Sequence, residues 1–215
     1  NNNRVAEPPH RWNYNPGLLG ELTSFVLLLF LLVAPRLWSQ ESRIESSPLS
    51  FNESDRVGFV LKGAAETGLS FSNRLTELDA ARNRVLLNGS GVALGDYDGD
   101  GRVDVYVCGL NSNNALYRNL GGWKFEDVTK KAGVACSKLF CRGAVMADVN
   151  GDATLDLLVS TVGQGTLLFI NREGRFSNET KAAGIATSYG SSTLALADVD
   201  GDGSLDLYVS NYRPD

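Results

Sequence analysis

Two hydrophobic patterns divide the chain. Near the amino end a largely apolar run, residues 24–34, contains no charged residue. Its eleven residues are short for a helix that crosses a bilayer, which needs about 20, and suit the apolar core of a signal peptide. From about residue 57 onward, apolar residues alternate with polar ones at a step of two, with Gly and Asn between the runs. That step is typical of β-strands.

The amino-terminal part is therefore predicted to be a targeting segment. We interpret residues 1–39 as a hydrophobic helix that is either a cleaved signal peptide or a membrane anchor attached through residues 17–38; a buried core helix is the third interpretation. Residues 40–56, rich in Ser and Glu, are predicted to be a flexible tether. Both targeting interpretations place the remaining domain, residues 57–215, outside the cytoplasm, either secreted, periplasmic or on the cell surface.

The alternating part is a sequence repeat. Three acidic stretches begin at Asp96, Asp148 and Asp198, which are spaced by 52 and 50 residues. Two further elements recur after them in the same order, and one of them has a fainter copy before the first stretch. These elements are Leu116–Asn119 with Leu168–Asn171, Trp123–Val134 with Gly174–Ile185, and the fainter copy Val57–Leu69. A period of about 50 residues indicates a propeller or a solenoid.

The repeat predicts an all-β fold made of four-stranded antiparallel blades. In the first unit the predicted strands are 91–94, 103–108, 115–119 and 124–128, and four short strands per repeat are typical of a β-propeller blade. A parallel β-helix or solenoid is the alternative, although its rungs usually repeat with shorter periods. The third unit contains only two predicted strands before Asp215. We therefore expect an arc of blades, a partial ring rather than a closed one.

The acidic stretches predict metal sites in loops between two strands. Of 15 Asp residues, 11 lie in three windows of nine residues, with side-chain oxygens at positions 1, 3, 5 and 9 and a backbone carbonyl at position 7. In the first loop (96–104) the predicted ligands are Asp96, Asp98, Asp100, Asp104 and the carbonyl of Arg102; in the second loop (148–156) they are Asp148, Asn150, Asp152, Asp156 and the carbonyl of Thr154; in the third loop (198–206) they are Asp198, Asp200, Asp202, Asp206 and the carbonyl of Ser204.

Calcium suits these loops best, because Ca²⁺ accepts six to eight hard oxygen ligands in flexible geometry. We predict up to three ions, with the second loop the weakest, because Asn150 replaces a carboxylate and Ala153 stands where the other loops have Gly. An EF-hand is excluded because position 12 is Val in all three copies and not the bidentate Glu that an EF-hand requires. The simpler alternative is a metal-free hairpin turn, which also favours Asp and Gly.

Composition excludes two classes of function. The chain has 25 Asp and Glu against 20 Lys and Arg, so it offers no basic surface for a nucleic-acid backbone. Its single histidine, His10, precedes the predicted domain, which leaves no histidine there for a catalytic triad.

Two cysteines form a candidate pair. Cys136 and Cys141 flank a loop of four residues in a chain predicted to be exported, where disulfides persist. A local disulfide and two free thiols are both compatible with this spacing.

These linked motifs resemble a known repeat. The segment 91–104, with copies at 143–156 and 193–206, is similar to the FG-GAP or VCBS repeat of the integrin α-chain propeller. The segments 114–120 and 125–134 resemble more particularly the cartilage acidic protein family, whose longer members end in an ASPIC/UnbV domain. The resemblance implies a secreted or surface-exposed propeller that holds calcium in its blade hairpins and acts in adhesion or assembly. It supplies no ligand.

The leading functional hypothesis is a non-enzymatic, calcium-binding propeller module that binds a protein or glycan partner. One alternative is part of a calcium-dependent polysaccharide lyase or hydrolase, which would need an acid or base outside the metal loops. Another is an accessory subunit of a membrane-associated complex. Fold alone does not choose among them.

Overall fold

The computed structural model describes residues 59–212, which lie in one compact unit that begins at Phe59. The predicted targeting segment and tether, residues 1–56, lie outside the described residues. The strands are β1 Val92–Gly95, β2 Asp104–Val107, β3 Ala115–Gly121, β4 Lys124–Asp127, β5 Cys141–Ala147, β6 Asp156–Thr161, β7 Thr166–Arg172, β8 Arg175–Asn178, β9 Gly190–Ala197 and β10 Asp206–Tyr212. The helices are α1 Ala64–Thr67, α2 Glu77–Arg82 and α3 Thr129–Ala132, with a 3₁₀ helix at Arg84–Asn88.

The strands form antiparallel sheets in which sequence neighbours pair. The first sheet is β1-β2-β3-β4 and the second is β5-β6-β7-β8, while β9 and β10 form a two-stranded third sheet. The all-β prediction is confirmed, and each predicted strand of the first unit matches its observed counterpart to within two residues. Within residues 59–212 no ring closes: β1 lies against β5, and β5 and β6 lie against β9.

The alternation of the sequence explains which residues are buried. In β2, Asp104 and Tyr106 are buried while the residues between and after them are half-buried. In β6 every residue is buried, because one face of this strand contributes to the core shared with the first sheet and the other packs near β9. A strand covered on both faces loses the alternation of apolar and polar residues, as the continuous apolar run Leu157–Val159 shows.

One hydrophobic core joins the first two sheets. Tyr106 and Leu116 of the first sheet belong to the same buried cluster as Leu157 and Phe169 of the second. Tyr97, from the first acidic loop, belongs to it as well, and its ring centroid lies 6.0 Å from that of Phe176. Aromatic pairs at this separation stabilise a core beyond the area that they bury.

The first sheet exposes the face that is covered in the second. Leu94, Val103 and Trp123 are all more than half exposed. Their counterparts in the repeat lie on the side of the second sheet that meets the first: Met146 and Leu155 pack beside Gly95, and Gly174 packs beside Tyr97. This apolar face of the first sheet has the character of a blade-packing surface.

A short helical turn precedes the first sheet, and similar turns follow the first and second sheets. α1 packs against β4, and α3 packs against β8; α1 lies in the fainter repeat copy recognised in the sequence. Gly68, Gly133 and Gly184 each close such a turn in the left-handed conformation, with φ of 83°, 83° and 71°. The positive φ accounts for glycine at all three positions. At Gly68 the fit is tighter, because a Cβ there would overlap the carbonyl oxygen of Phe125.

Gly68→Ala should therefore destabilise the fold more than the matched variant Gly184→Ala. A Cβ at Gly184 meets no atom within 4 Å, so its loss of unfolding free energy should be about 1 kcal/mol, from left-handed strain alone. Gly68→Ala should cost about 2 kcal/mol or more, because β4 must also shift. Urea denaturation of both variants measures the difference, and equal losses would show that α1 does not depend on this close contact.

Candidate metal centres

Each acidic loop joins the first two strands of its sheet. Across the base of the loops, Gly95 pairs with Asp104, Ala147 with Asp156 and Ala197 with Asp206. Position 9 is thus the first residue of the second strand, directly opposite the residue before position 1. Because the two strands pair at this point, the carboxylates of positions 1 and 9 lie close together at the base of the loop. The predicted placement of the loops between strands is confirmed.

The position 1 carboxylate shapes the loop. In the first loop, Asp96 accepts hydrogen bonds from the amides of Asp100 (3.0 Å) and Gly101 (2.7 Å). The carboxylates of Asp148 and Asp198 accept the same bonds from positions 5 and 6. Amide donors hold the pKa of Asp148 below its usual value. In the second loop these amides therefore favour the ionised form of the position 1 carboxylate.

Position 6 requires a left-handed backbone in every loop. Gly101 and Gly203 have φ of 83° and 88°, and Ala153 takes the same conformation at 65°. Because a Cβ disfavours this conformation, the second loop carries strain that the other two avoid. Besides Asn150, Ala153 is thus a physical reason to expect weaker metal binding in the second loop.

The position 9 carboxylate ties the loop to the sheet. Asp104 is fully buried and accepts hydrogen bonds from the amides of Tyr97 (3.1 Å) and Asn119 (2.7 Å). Asp156 repeats this arrangement with Val149 (3.2 Å) and Asn171 (2.8 Å). Burial raises the pKa of both aspartates, although the amide hydrogen bonds oppose it. In the third loop the carboxylate of Asp206 accepts a hydrogen bond from the amide of Val199, but Asp206 is exposed.

The sequence did not reveal the role of Asn119 in β3 and Asn171 in β7, the third strands of their sheets. The side chain of Asn119 donates to the carbonyl of Val103 (2.8 Å). Asn171 donates to the carbonyls of Leu155 (3.0 Å) and Tyr97 (2.7 Å), and so joins the second sheet to the first loop. The recurrence of Asn at the same position of the repeat was the sequence signal that could have identified this role.

Carboxylate oxygens converge in two of the three loops. Within residues 59–212, groups of three acidic side chains with ligand atoms all within 4.8 Å of one another occur at positions 1, 3 and 9 of the first and third loops. These groups are Asp96, Asp98 and Asp104, and Asp198, Asp200 and Asp206. The second loop forms no such group, in keeping with Asn150 at its position 3.

The position 5 carboxylates lie outside these groups. Asp100, Asp152 and Asp202 each accept a hydrogen bond from the amide of position 7. Metal ligation stays a prediction for every position, including position 5 and the carbonyls of Arg102, Thr154 and Ser204.

Arginines partly neutralise the first loop. Arg118 of β3 contacts Asp98 through Nε (2.5 Å) and Asp100 through Nη2 (2.9 Å), and Arg102 contacts Asp100 (2.7 Å). The charge of Asp98 raises the pKa of Arg118. Ile170 stands at the corresponding place in β7, and among the described residues no ion pair forms with the second loop. Arg118 was not recognised from the sequence, because only the sheet register brings it beside the loop.

Comparison with known families agrees with this architecture. The family model of the FG-GAP-like repeat matches residues 96–159 and 148–209, which together are more than half of the chain. The chain belongs to the FG-GAP-like repeat family. Such FG-GAP repeats indicate a β-propeller-like interaction module, are generally non-catalytic and are typically extracellular. In integrins they bind divalent cations.

The FG-GAP match is broader than the sequence-based resemblance. It does not confirm the narrower relation to the cartilage acidic protein family, which stays a prediction. A search among curated proteins found no match. No helix within residues 59–212 has the length and apolar character needed to cross a membrane.

The predicted cysteine pair lies close together but is not bonded. Cys136, Cys141 and Cys108 are all thiols in the structure. Interaction with the Cys141 thiol lowers the pKa of Cys136. The disulfide stays a prediction.

Asn171→Ala should destabilise the FG-GAP repeats more than Asn119→Ala. Removal of the Asn171 side chain leaves the carbonyls of Leu155 and Tyr97 without this donor and breaks a link between sheets, at a cost of about 2–3 kcal/mol. The same change at Asn119 removes two bonds within the first sheet, one donated to the carbonyl of Val103 and one accepted from the amide of Gly121. Because neither bond is fully buried, the cost should be smaller, at about 1 kcal/mol. Denaturation in the presence of a chelator isolates this contribution from metal binding. A larger loss at Asn119 would contradict the role given to Asn171.

Proposed function

We propose that this chain is a calcium-dependent, extracytoplasmic interaction module, in which FG-GAP blades bind Ca²⁺ in their loops and present their surface to a protein or glycan partner. The observation that carries the proposal is the convergence of three carboxylates at the same positions of the first and third loops. Oxygen donors without Cys or His suit Ca²⁺ rather than a softer metal. The ions would be held by positions 1, 3 and 9, with the second loop as the weakest site.

Electrostatic repulsion explains why a cation would stabilise these loops. Three ionised carboxylates whose oxygens lie within 4.8 Å repel one another unless a positive charge lies between them. In the first loop Arg118 and Arg102 supply part of that charge. Among the described residues, no Lys or Arg forms an ion pair with the third loop. The third loop therefore has more to gain from a bound ion.

A non-catalytic role accounts for the acidic residues without further assumptions. The carboxylates of positions 1 and 9 are engaged by loop and strand amides, and the described residues contain no histidine. FG-GAP repeats are generally non-catalytic. The unusual chemistry of the chain is thus concentrated in structural metal loops.

An exposed apolar face supports a role in assembly with further blades. Leu94, Val103 and Trp123 form this face on the first sheet. Contiguous exposed apolar surface is typical of sites that contact another domain or another macromolecule, and the counterpart of this face in the second sheet packs against a neighbouring sheet. The apolar run at residues 24–34 supports export.

Calorimetric titration with Ca²⁺ tests the proposal. The wild-type chain should bind at least two ions, with the third loop tighter than the first because Arg118 competes for Asp98. Asp98→Asn and Asp200→Asn should each weaken the calcium affinity of one site by about tenfold or more. Each substitution removes a carboxylate ligand at position 3, away from the strand pairing at the base of the loop. Glu126→Gln, an exposed residue of β4, makes the same change of charge outside the loops and should bind as the wild type does.

Two results would contradict the proposal. One is the absence of calcium uptake by wild-type protein whose circular dichroism shows it to be folded. The other is an equal loss of affinity in Glu126→Gln, which would indicate binding by general surface charge.

A further inference from the structure

Three thiols meet where the first and second sheets join. Cys108 follows β2, Cys141 begins β5, and Cys136 lies in the loop between the sheets. Cys108 and Cys141 are fully buried in the shared core, and the half-buried Cys136 packs against it. We call these three residues the thiol cluster. Their arrangement places one half-buried cysteine beside one that solvent does not reach.

Packing alone does not require sulfur at this place. At the corresponding positions of the next junction, between the second and third sheets, Ser160 and Ser191 replace Cys108 and Cys141. Ser191 accepts a hydrogen bond from Thr166 (3.2 Å) and donates one to Asn211 (2.8 Å). The same fold thus accommodates hydroxyl groups here, and the first junction differs from the second in chemistry rather than in architecture.

Cys136 is held in a turn that exposes it to an open cleft. Its φ is 45°, and Lys138 two residues later has φ of 65°; neither residue is Gly, so the loop carries backbone strain. Cys136 lines a cleft together with Asn113 and Lys130. Strained backbone held by its surroundings is frequent at functional sites.

Cys141 is fixed by contrast. Its amide donates to the carbonyl of Gly109 (2.9 Å) at the start of β5, and its side chain is inaccessible to solvent. A loop thiol beside a strand thiol can close on it by moving only the loop, which spans four residues.

The surroundings favour the thiolate at Cys136. Interaction with the neighbouring Cys141 thiol lowers the pKa of Cys136, while the same interaction, together with burial, raises the pKa of Cys141. The hydroxyl of Tyr106 lies 3.7 Å from the Cys136 sulfur. Burial raises the pKa of Cys108 to about 12. Thiolate character and exposure determine which cysteine reacts, and both single out Cys136.

We propose that Cys136 and Cys141 form a thiol–disulfide exchange site that reacts with small disulfides from the cleft, with Cys136 as the entry thiol and Cys141 as the resolving thiol. This function is independent of calcium. Cys108 remains reduced, as the buried third member of the thiol cluster.

The reaction has two balanced steps. The Cys136 thiolate attacks one sulfur of the small disulfide, forms a mixed disulfide and releases one small thiolate, which takes a proton from water. Cys141 then loses its proton to water and attacks the Cys136 sulfur, so that the Cys136–Cys141 bond forms and the second small thiolate leaves. Two protein thiols are oxidised, and the small disulfide is reduced to two thiols.

Oxidised glutathione is the probe, added to the reduced full-length chain and followed by intact mass and peptide mapping. The mass of the wild-type protein should decrease by that of two hydrogen atoms, and peptide mapping should assign the new disulfide to Cys136 and Cys141. Cys141→Ser should instead accumulate a stable glutathione adduct on Cys136, because the resolving thiol is gone. This variant is a mild one, since Ser191 is its natural counterpart.

The controls separate reactivity from folding. Cys136→Ser should lower the rate of adduct formation by about tenfold or more, whereas Cys108→Ser should react at the wild-type rate. Melting temperatures identify any variant that fails to fold, and wild-type peptide mapping alone still decides which thiols pair. A disulfide that includes Cys108, a reactive Cys136→Ser variant, or a folded wild type that forms no disulfide would each overturn the proposal.

Discussion

A buried aspartate at the start of the second strand holds each complete sheet to its acidic loop. Asp104 and Asp156 are fully buried, and each accepts one amide from the loop and one from the third strand. A buried carboxylate without such donors would cost several kcal/mol. The loop conformation, the strand pairing and the position of the third strand therefore depend on one another through a single side chain.

The same loop also takes part in the contact between sheets. Tyr97 follows the position 1 aspartate, packs against Phe176 and accepts a hydrogen bond from Asn171 through its carbonyl. A cation bound at the first loop would fix the residue that forms the junction. Its effect should then reach the packing of neighbouring blades as well as the charge of the loop. In the third loop, Val199 stands at this position and is 80% exposed, so the described residues show no such junction beyond the third sheet.

The sequence predicted what depends on local pattern. The period of two placed the strands, and the recurrence of Asp at positions 1, 5 and 9 placed the loops, because both follow from residues near one another in the chain. It could not place Arg118 beside Asp98 or Asn171 beside Tyr97, because sheet register and blade packing bring these pairs together from distant positions. The exposure of Trp123 was equally invisible, since it depends on which face of the first sheet another element covers.

The most direct test of calcium binding is diffraction from crystals grown with Ca²⁺, with anomalous differences used to locate the ions. Peaks should lie within about 2.3–2.6 Å of the oxygens of Asp96, Asp98 and Asp104, and of Asp198, Asp200 and Asp206, with the second loop less occupied. Loops of unchanged conformation without a peak, at a calcium concentration well above millimolar, would contradict the account. They would show that amide hydrogen bonds and arginines alone suffice to hold the carboxylates.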